Sequence, residues 1–129
     1  MVSSTILTGI GTINQGANAT LNINHNAFTV TNLSASAANN NVNYNLAGVQ
    51  NIFGTQYANL GIAGGSNKTL LNNLSVSGTL THTSGILLLG ANNLSYGNSA
   101  SIAGTPSATN MILVNGTGFV EKKLEYSSA

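Results

Sequence analysis

Seven side chains in this sequence can carry charge or move a proton near neutral pH: Lys68, Lys122, Lys123, Glu121, Glu125, His25 and His82. General acid–base work needs carboxylates held in a cleft with shifted pKa values. Glu121 and Glu125 stand beside Lys122 and Lys123 near the end of the chain, a pattern that reads as a solvated tail. A metal site would need both histidines and a nearby carboxylate. His25 falls at a turn, in Ile23-Asn24-His25-Asn26, and His82 falls in Thr81-His82-Thr83, where it reads as an exposed residue on the polar phase of a strand; no carboxylate is near either. A Ser–His–Asp triad fails because the chain has no Asp, and no Gly-x-Ser-x-Gly elbow occurs. Gly64-Gly65-Ser66-Asn67 has the glycines of a calcium-binding solenoid loop but not its Asp. No glycine-rich run leads into Gly-Lys-Ser/Thr. Three Lys without Arg cannot form the basic stripe that nucleic acid requires. Cysteine is absent, which excludes disulfides and thiolate chemistry. The expectation is therefore a non-enzymatic protein with no catalytic, cofactor-binding or metal-binding residues.

Charge is scarce in a patterned way. The first 67 residues contain no Asp, Glu, Lys or Arg. The charged fraction is 4% with a net charge of +1, against about 25% in an ordinary soluble domain. So little charge gives weak colloidal repulsion and favours association or membership of a larger object. With 42% hydrophobic residues the chain can collapse, so disorder is a poor reading. Apolar runs such as Ile86–Leu89 are far shorter than the ~18–20 residues of a membrane-spanning helix. The opening Met1-Val2-Ser3-Ser4-Thr5 has neither the basic nor the apolar region of a signal peptide.

The elements that would position these residues follow a period of two. Ala19–Asn24, Phe28–Thr31, Val42–Leu46, Asn73–Ser77 and Asn93–Tyr96 alternate apolar with Asn, Ser or Thr. Clusters of Gly, Asn and Ser separate them, at Asn14–Gly16, Asn39–Asn41, Gly64–Asn67, Ser84-Gly85 and Gly90–Asn92. No segment sustains a 3.6-residue period. The fold class is all-β, expected as a parallel β-solenoid with short Asn- and Gly-rich turns, with an antiparallel sandwich as the alternative. Asn suits left-handed corners and stacked side-chain ladders, and the chain has a single proline and no Trp. The phrases Leu60-Gly61-Ile62, Leu74-Ser75-Val76, Ile86-Leu87-Leu88, Leu94-Ser95-Tyr96 and Ile112-Leu113-Val114 recur at irregular spacing. Asn115-Gly116, between Met111–Val114 and Phe119-Val120, gives the strongest short hairpin signal, with a parallel coil corner as its competitor. The six Asn-x-Ser/Thr triplets, beginning with Asn18-Ala19-Thr20, arise from composition, and the Thr-x-Thr copies at Thr29-Val30-Thr31 and Thr79–Thr83 are too isolated for an ice-binding ladder.

The order of phrases over Val42–Val120 resembles the repeat regions of secreted surface adhesins of Bacteroidota, the gliding-motility and haemagglutinin-like proteins exported by type IX secretion. The carrying residues are Val42-Asn43-Tyr44-Asn45, Gln56–Ile62, Asn67-Lys68-Thr69-Leu70, Asn73–Thr81, Ser84–Leu94 and the closing run Gly104–Gly118. The resemblance implies a parallel β-solenoid stalk or adhesive fibre outside the cell and carries no catalytic residues.

The functional expectation is a structural or adhesive segment of an extracellular fibre or cell-surface adhesin, 1–129 forming one β-rich domain, with targeting signals outside this chain. Its partners would be copies of itself or flanking repeats, with surface glycans as a further candidate, and no nucleic acid or membrane span. The segment Thr5–Ile13, with Thr5, Ile6, Leu7, Ile10 and Ile13 and lying within residues 1–13, reads as an ordinary first strand or as an exchanged or end-capping strand. Ile112, Val114, Phe119 and Val120 are the candidate receiving edge, and residues 121–129 the charged tail. The alternative function is a monomeric sandwich stacking sugars on exposed Tyr44, Tyr57, Tyr96 and Tyr126.

Overall fold

Alternation with a short turn every few strands lets a chain coil, and it coils here. The computed structural model describes residues 2–4, 7–26 and 28–125. Every regular element among them is a strand, and the 13 ladders between strands are all parallel. Three strands make one rung. The first holds β1 (Val2–Ser4), β2 (Leu7–Thr8) and β3 (Thr12–Asn14); the second holds β4 (Thr20–Ile23), β5 (Phe28–Thr29) and β6 (Asn32–Ser34). The third holds β7 (Asn41–Tyr44), β8 (Gln50–Ile52) and β9 (Gln56–Tyr57); the fourth β10 (Asn59–Ile62), β11 (Asn67–Leu70) and β12 (Leu74–Val76). The fifth holds β13 (Thr79–His82), β14 (Gly85–Leu88) and β15 (Leu94–Tyr96); the sixth β16 (Ser101–Ala103), β17 (Asn110–Leu113) and β18 (Val120–Lys122). The first face is one six-stranded sheet, β1-β4-β7-β10-β13-β16. The second and third faces are four-stranded over rungs three to six and two-stranded over rungs one and two. The molecule is a β-solenoid, and the antiparallel sandwich is excluded by the direction of its ladders.

The period of two sends alternate residues into the coil. On the first face, one inward column runs Leu21, Val42, Leu60, Leu80, and the next runs Ile23, Tyr44, Ile62, His82. All eight are buried. Their outward neighbours are polar or small: Asn22, Asn43, Gly61 and Thr81. The irregular spacing of the repeated apolar phrases now has a cause. Leu60-Gly61-Ile62 lies on the first face, Ile86-Leu87-Leu88 on the second, and Leu74-Ser75-Val76 and Leu94-Ser95-Tyr96 on the third. The period is one rung, and only phrases on the same face keep it.

Corners use the residues that tolerate a left-handed backbone. Asn18 and Asn39 have φ of 61° and 58°, and Asn39 Nδ2 donates to Asn18 Oδ1 at 3.3 Å, one rung apart. Gly64, at φ 83°, lies so close to the Leu46 carbonyl that any side chain there would collide with it. Asn115-Gly116 is also a corner and not a hairpin. β17 pairs with β14 and β18 pairs with β15, both in parallel and on different faces. Asn115 Oδ1 accepts the Gly90 N–H at 2.8 Å, which stacks this corner on the one below it. The hairpin signal is local, and inter-rung pairing overrides it.

Candidate assembly surfaces at the two ends of the solenoid

A parallel ladder pairs both edges of an inner strand and only one edge of a terminal strand. Among the described residues, β16, β17 and β18 are each last in their sheet, so the outer edge of each lacks a strand partner there. The core is open there as well. Ile102 continues the column of Leu80, and Val120 continues that of Leu94. Leu80 and Leu94 are 0% exposed, whereas Ile102 is 53% and Val120 42% exposed. The residue types and directions match, and the two rungs differ in exposure.

Ile112 continues the column of Leu87, is partly buried and packs against the core. Beside it lies an apolar cavity of about 170 Å³ lined by His82, Ile102, Pro106, Asn110, Met111 and Ile112. Asn110 is buried and gives both its N–H groups to backbone, to His82 O at 3.0 Å and Thr105 O at 2.9 Å. Its Oδ1 is buried without a partner. Val114 at the corner after β17 and Phe119 just before β18 are exposed. The Phe119 N–H is held by Asn93 Oδ1 at 3.2 Å and its carbonyl accepts the Leu94 N–H at 2.9 Å, so the ring projects from an anchored backbone. Ile112, Val114, Phe119 and Val120 therefore share the sixth rung.

The N-terminal candidates are arranged differently. Thr5 and Ile6 lie outside the described residues. Leu7 belongs to β2, and Ile13 to β3, on a different face. The single extended strand expected over Thr5–Ile13 is corrected: the chain turns a corner at Gly9–Gly11, with φ near 145° at both glycines. That corner is tied to the second rung by Gly9 N–H to Thr29 O at 2.9 Å and by Thr31 and Asn32 N–H to Gly11 O at 3.1 Å. Ile10 stands at its tip, fully exposed, and Ile13 packs partly buried on the core. The two groups of candidates sit at opposite ends, five rung steps or about 24 Å apart at ~4.8 Å per step.

Several readings of single residues change. His82 is buried, because it follows Leu80 by two and shares its inward phase. Its Nε2–H donates to Gly85 O at 2.8 Å, and burial pushes its pKa down against the smaller opposing pull of that carbonyl. Tyr44, Tyr57 and Tyr96 are core residues, so they offer no stacking face to a sugar; Tyr126 lies outside the described residues. Tyr44 and Tyr57 meet edge to face, their hydroxyls 2.8 Å apart, while the Tyr57 hydroxyl donates to Phe53 O at 2.6 Å and the Phe53 N–H donates to the Tyr44 hydroxyl at 3.2 Å. Glu121 and Lys122 belong to β18 instead of a free tail. Ser95 donates to Glu121 Oε1 at 2.8 Å, and Lys122 Nζ to Ala100 O at 2.9 Å.

The chain also buries a cation that sequence reasoning passed over. Lys68 is fully buried on the inward phase of β11, two residues before Leu70. Its ammonium donates to Leu46 O at 2.6 Å, Gly48 O at 3.0 Å and Gln50 Oε1 at 3.3 Å. Gln50 passes the network on through Nε2 to Ile23 O at 2.8 Å and His25 O at 3.3 Å. Three donors meet three acceptors, which is how an unpaired cation is tolerated inside. Desolvation lowers the Lys68 pKa. The signal was available: Lys68 and Leu70 share a phase, as His82 and Leu80 do.

Among the described residues, no group of three or more His, Asp or Glu side chains could hold a metal ion, and no helix is long and apolar enough to cross a membrane. The described residues form a parallel β-solenoid whose sixth rung leaves Ile102 and Val120 about half exposed. No protein-family model, no curated protein and no solved structure matches the chain.

Proposed function

We propose that this chain is a structural, non-catalytic unit of an extracellular fibre or cell-surface adhesin, and that it assembles through the edges of its strands. One observation carries the reading: in the sixth rung the core columns leave Ile102 and Val120 about half exposed above fully buried Leu80 and Leu94. A rung that ends this way exposes apolar side chains and unpaired backbone together, which is what an added β-rung satisfies. The scarcity of charge, 4% of residues, removes the repulsion that keeps such ends apart. The surface setting and the adhesive role rest on composition and on the resemblance of residues 42–120 to Bacteroidota adhesin repeats. No cofactor enters this reading.

Negative-stain electron microscopy with light scattering over a concentration series tests it. Uniform filaments or rods, growing with concentration, are the expected result. A monodisperse monomer across the series would sink assembly as the function.

A further inference from the structure

The three faces of the coil differ in what their outward side chains offer. We infer that the third face binds a linear, uncharged oligosaccharide in a groove that crosses strands β9, β12, β15 and β18. The inference rests on the surface-adhesive reading above, supplies it with a binding site, and does not depend on strand-edge assembly.

On the first face the outward polar groups satisfy one another, as where Asn43 Nδ2 donates to Asn22 Oδ1 at 2.8 Å. On the second face the outward phase turns apolar in the fifth and sixth rungs, where Ile86 shares its register with Met111 and Leu88 with Leu113. The third face is different again. Its register aligns Gln56, Ser75, Ser95 and Glu121 in one outward column. With Asn73 and Asn93 beside them, these side chains line an open cleft of about 410 Å³. A neighbouring cleft of about 220 Å³ shares Gln56, Ser75, Ser95 and Lys123 with it, so the two form one groove.

The groove's polar groups are held in place. Asn73 Oδ1 accepts the Asn93 N–H at 2.9 Å and Asn93 Oδ1 accepts the Phe119 N–H at 3.2 Å. Both amide planes are thereby fixed from behind, and among the described residues their Nδ2–H groups meet no other partner. Ser95 donates to Glu121 Oε1 at 2.8 Å, which holds that carboxylate at the groove's edge. Donors of fixed direction beside a held carboxylate suit a ligand rich in hydroxyls, each of which both donates and accepts. With Tyr44, Tyr57 and Tyr96 in the core, recognition runs through hydrogen bonds and not through ring stacking.

Charge, backbone and spacing narrow the ligand further. Glu121 and Lys123 both line the groove and balance, so neither a polyanion nor a polycation gains net attraction there. Strands β12 and β15 form the floor and are paired on both edges, so a peptide finds no free strand edge to extend. Successive rungs repeat every ~4.8 Å, close to the length of one pyranose unit in an extended chain. Equivalent side chains of successive rungs therefore meet successive sugars.

Calorimetric titration of the full chain with cellohexaose, maltohexaose, xylohexaose and hexagalacturonate tests the inference. At least one neutral hexamer should bind, and hexagalacturonate should not. Ser75→Ile fills the floor of the groove and removes a hydroxyl, and should weaken that binding at least about tenfold while the unfolding midpoint holds. Thr81→Ile makes a comparable change on the outward phase of the first face and should leave binding as it is. No binding by any neutral hexamer at millimolar concentration overturns the inference. Binding by the acidic hexamer alone, or equal binding by Ser75→Ile, overturns it too. Light scattering on the same samples reads assembly separately. A monomer that binds the sugar refutes strand-edge assembly and supports the groove, and filaments that bind no sugar do the reverse.

Discussion

The fifth and sixth rungs carry the same three-strand design in consecutive registers, and they differ in what lies above them. Leu80 and Ile102 point into the same column, as do Leu94 and Val120. The lower member of each pair is fully buried and the upper is about half exposed. Burial in a solenoid is therefore a property of the neighbouring rung as much as of the residue. The difference separates two roles in one column: an inner position is buried between neighbouring rungs, while its copy in the sixth rung is covered on one side only.

Substitution at matched positions makes that separation measurable. Leu80→Ala removes a buried side chain with neighbours above and below, and should cost about 2–5 kcal/mol in chemical denaturation. Ile102→Ala, one rung further along the same column, should cost about 1 kcal/mol or less in the dilute monomer. At concentrations that support assembly its cost should grow, because only then is the column covered. Equal losses at the two positions under dilute conditions would mean that the last rung is covered by something within the chain.

Alkaline pH should strike the inner rungs before the last one. Tyr57, Val76 and Tyr96 form one inward column that Lys122 continues on the sixth rung, so the phenols lie in the inner rungs. Burial raises the Tyr44 pKa to about 12 and pushes Tyr57 and Tyr96 up as well. A phenol whose folded pKa exceeds its unfolded value of about 10 stabilises fully below pH 10 and loses that stability as pH rises through the folded value. Unfolding midpoints should hold to about pH 10 and fall steeply beyond it. Tyr57→Phe should soften the fall and lower the starting stability, since Phe53 O and the Tyr44 hydroxyl each lose a partner. A flat profile to pH 12 would contradict the burial of these rings.

How much of this was legible in the sequence depended on whether a residue obeyed the period. Leu, Ile and Val at alternate positions announced the solenoid, and the Asn and Gly clusters announced its corners, including the left-handed Asn18 and Asn39. Lys68 was passed over and His82 misread because residue type was weighed above phase. Each stands two residues from a Leu on the same strand, and phase decided. The tyrosines were misread as surface groups for the same reason, since Tyr44 follows Val42 and Tyr96 follows Leu94 on inward positions. The Asn115-Gly116 corner failed differently: a dipeptide reports local backbone preference, while pairing of β17 with β14 is set by residues a rung away. The open end could not be read at all, because nothing local distinguishes Ile102 from Leu80.

Two lysines, buried Lys68 and exposed Lys122, sharpen the comparison at a smaller scale. Lys68→Met keeps the apolar stem but strips the donors from Leu46 O, Gly48 O and Gln50 Oε1, and should cost about 1–3 kcal/mol. Lys122→Met, on the exposed last rung, should stay within about 0.5 kcal/mol. The pH dependence runs opposite to that of the tyrosines. Desolvation lowers the folded Lys68 pKa below its unfolded 10.5, so the unfolded chain binds the proton more tightly in that window. Its penalty is present below the folded value and relieved as pH rises through it. Wild type should therefore gain relative to Lys68→Met between neutral pH and 10.5. A wild-type advantage that does not grow over that range would mean the ammonium is solvated.

The smallest effect expected is at His82, the one core-column imidazole, which sits directly beneath the open rung. Desolvation lowers its folded pKa below the unfolded 6.5. A buried neutral imidazole contributes stability that is present above pH 6.5 and lost as pH falls through the folded value. Midpoints should decline modestly on acidification below that pH. Because His82 borders the same cavity as Ile102 and Asn110, protonation places a cation at the docking surface, so assembly should weaken over the same pH range. His82→Leu would restore the apolar column of Tyr44 and Ile62, abolish the acid-side decline in stability and leave assembly independent of pH between about 5 and 7. If that variant keeps the full acid dependence of assembly, the cavity beneath Ile102 is not part of the assembly contact.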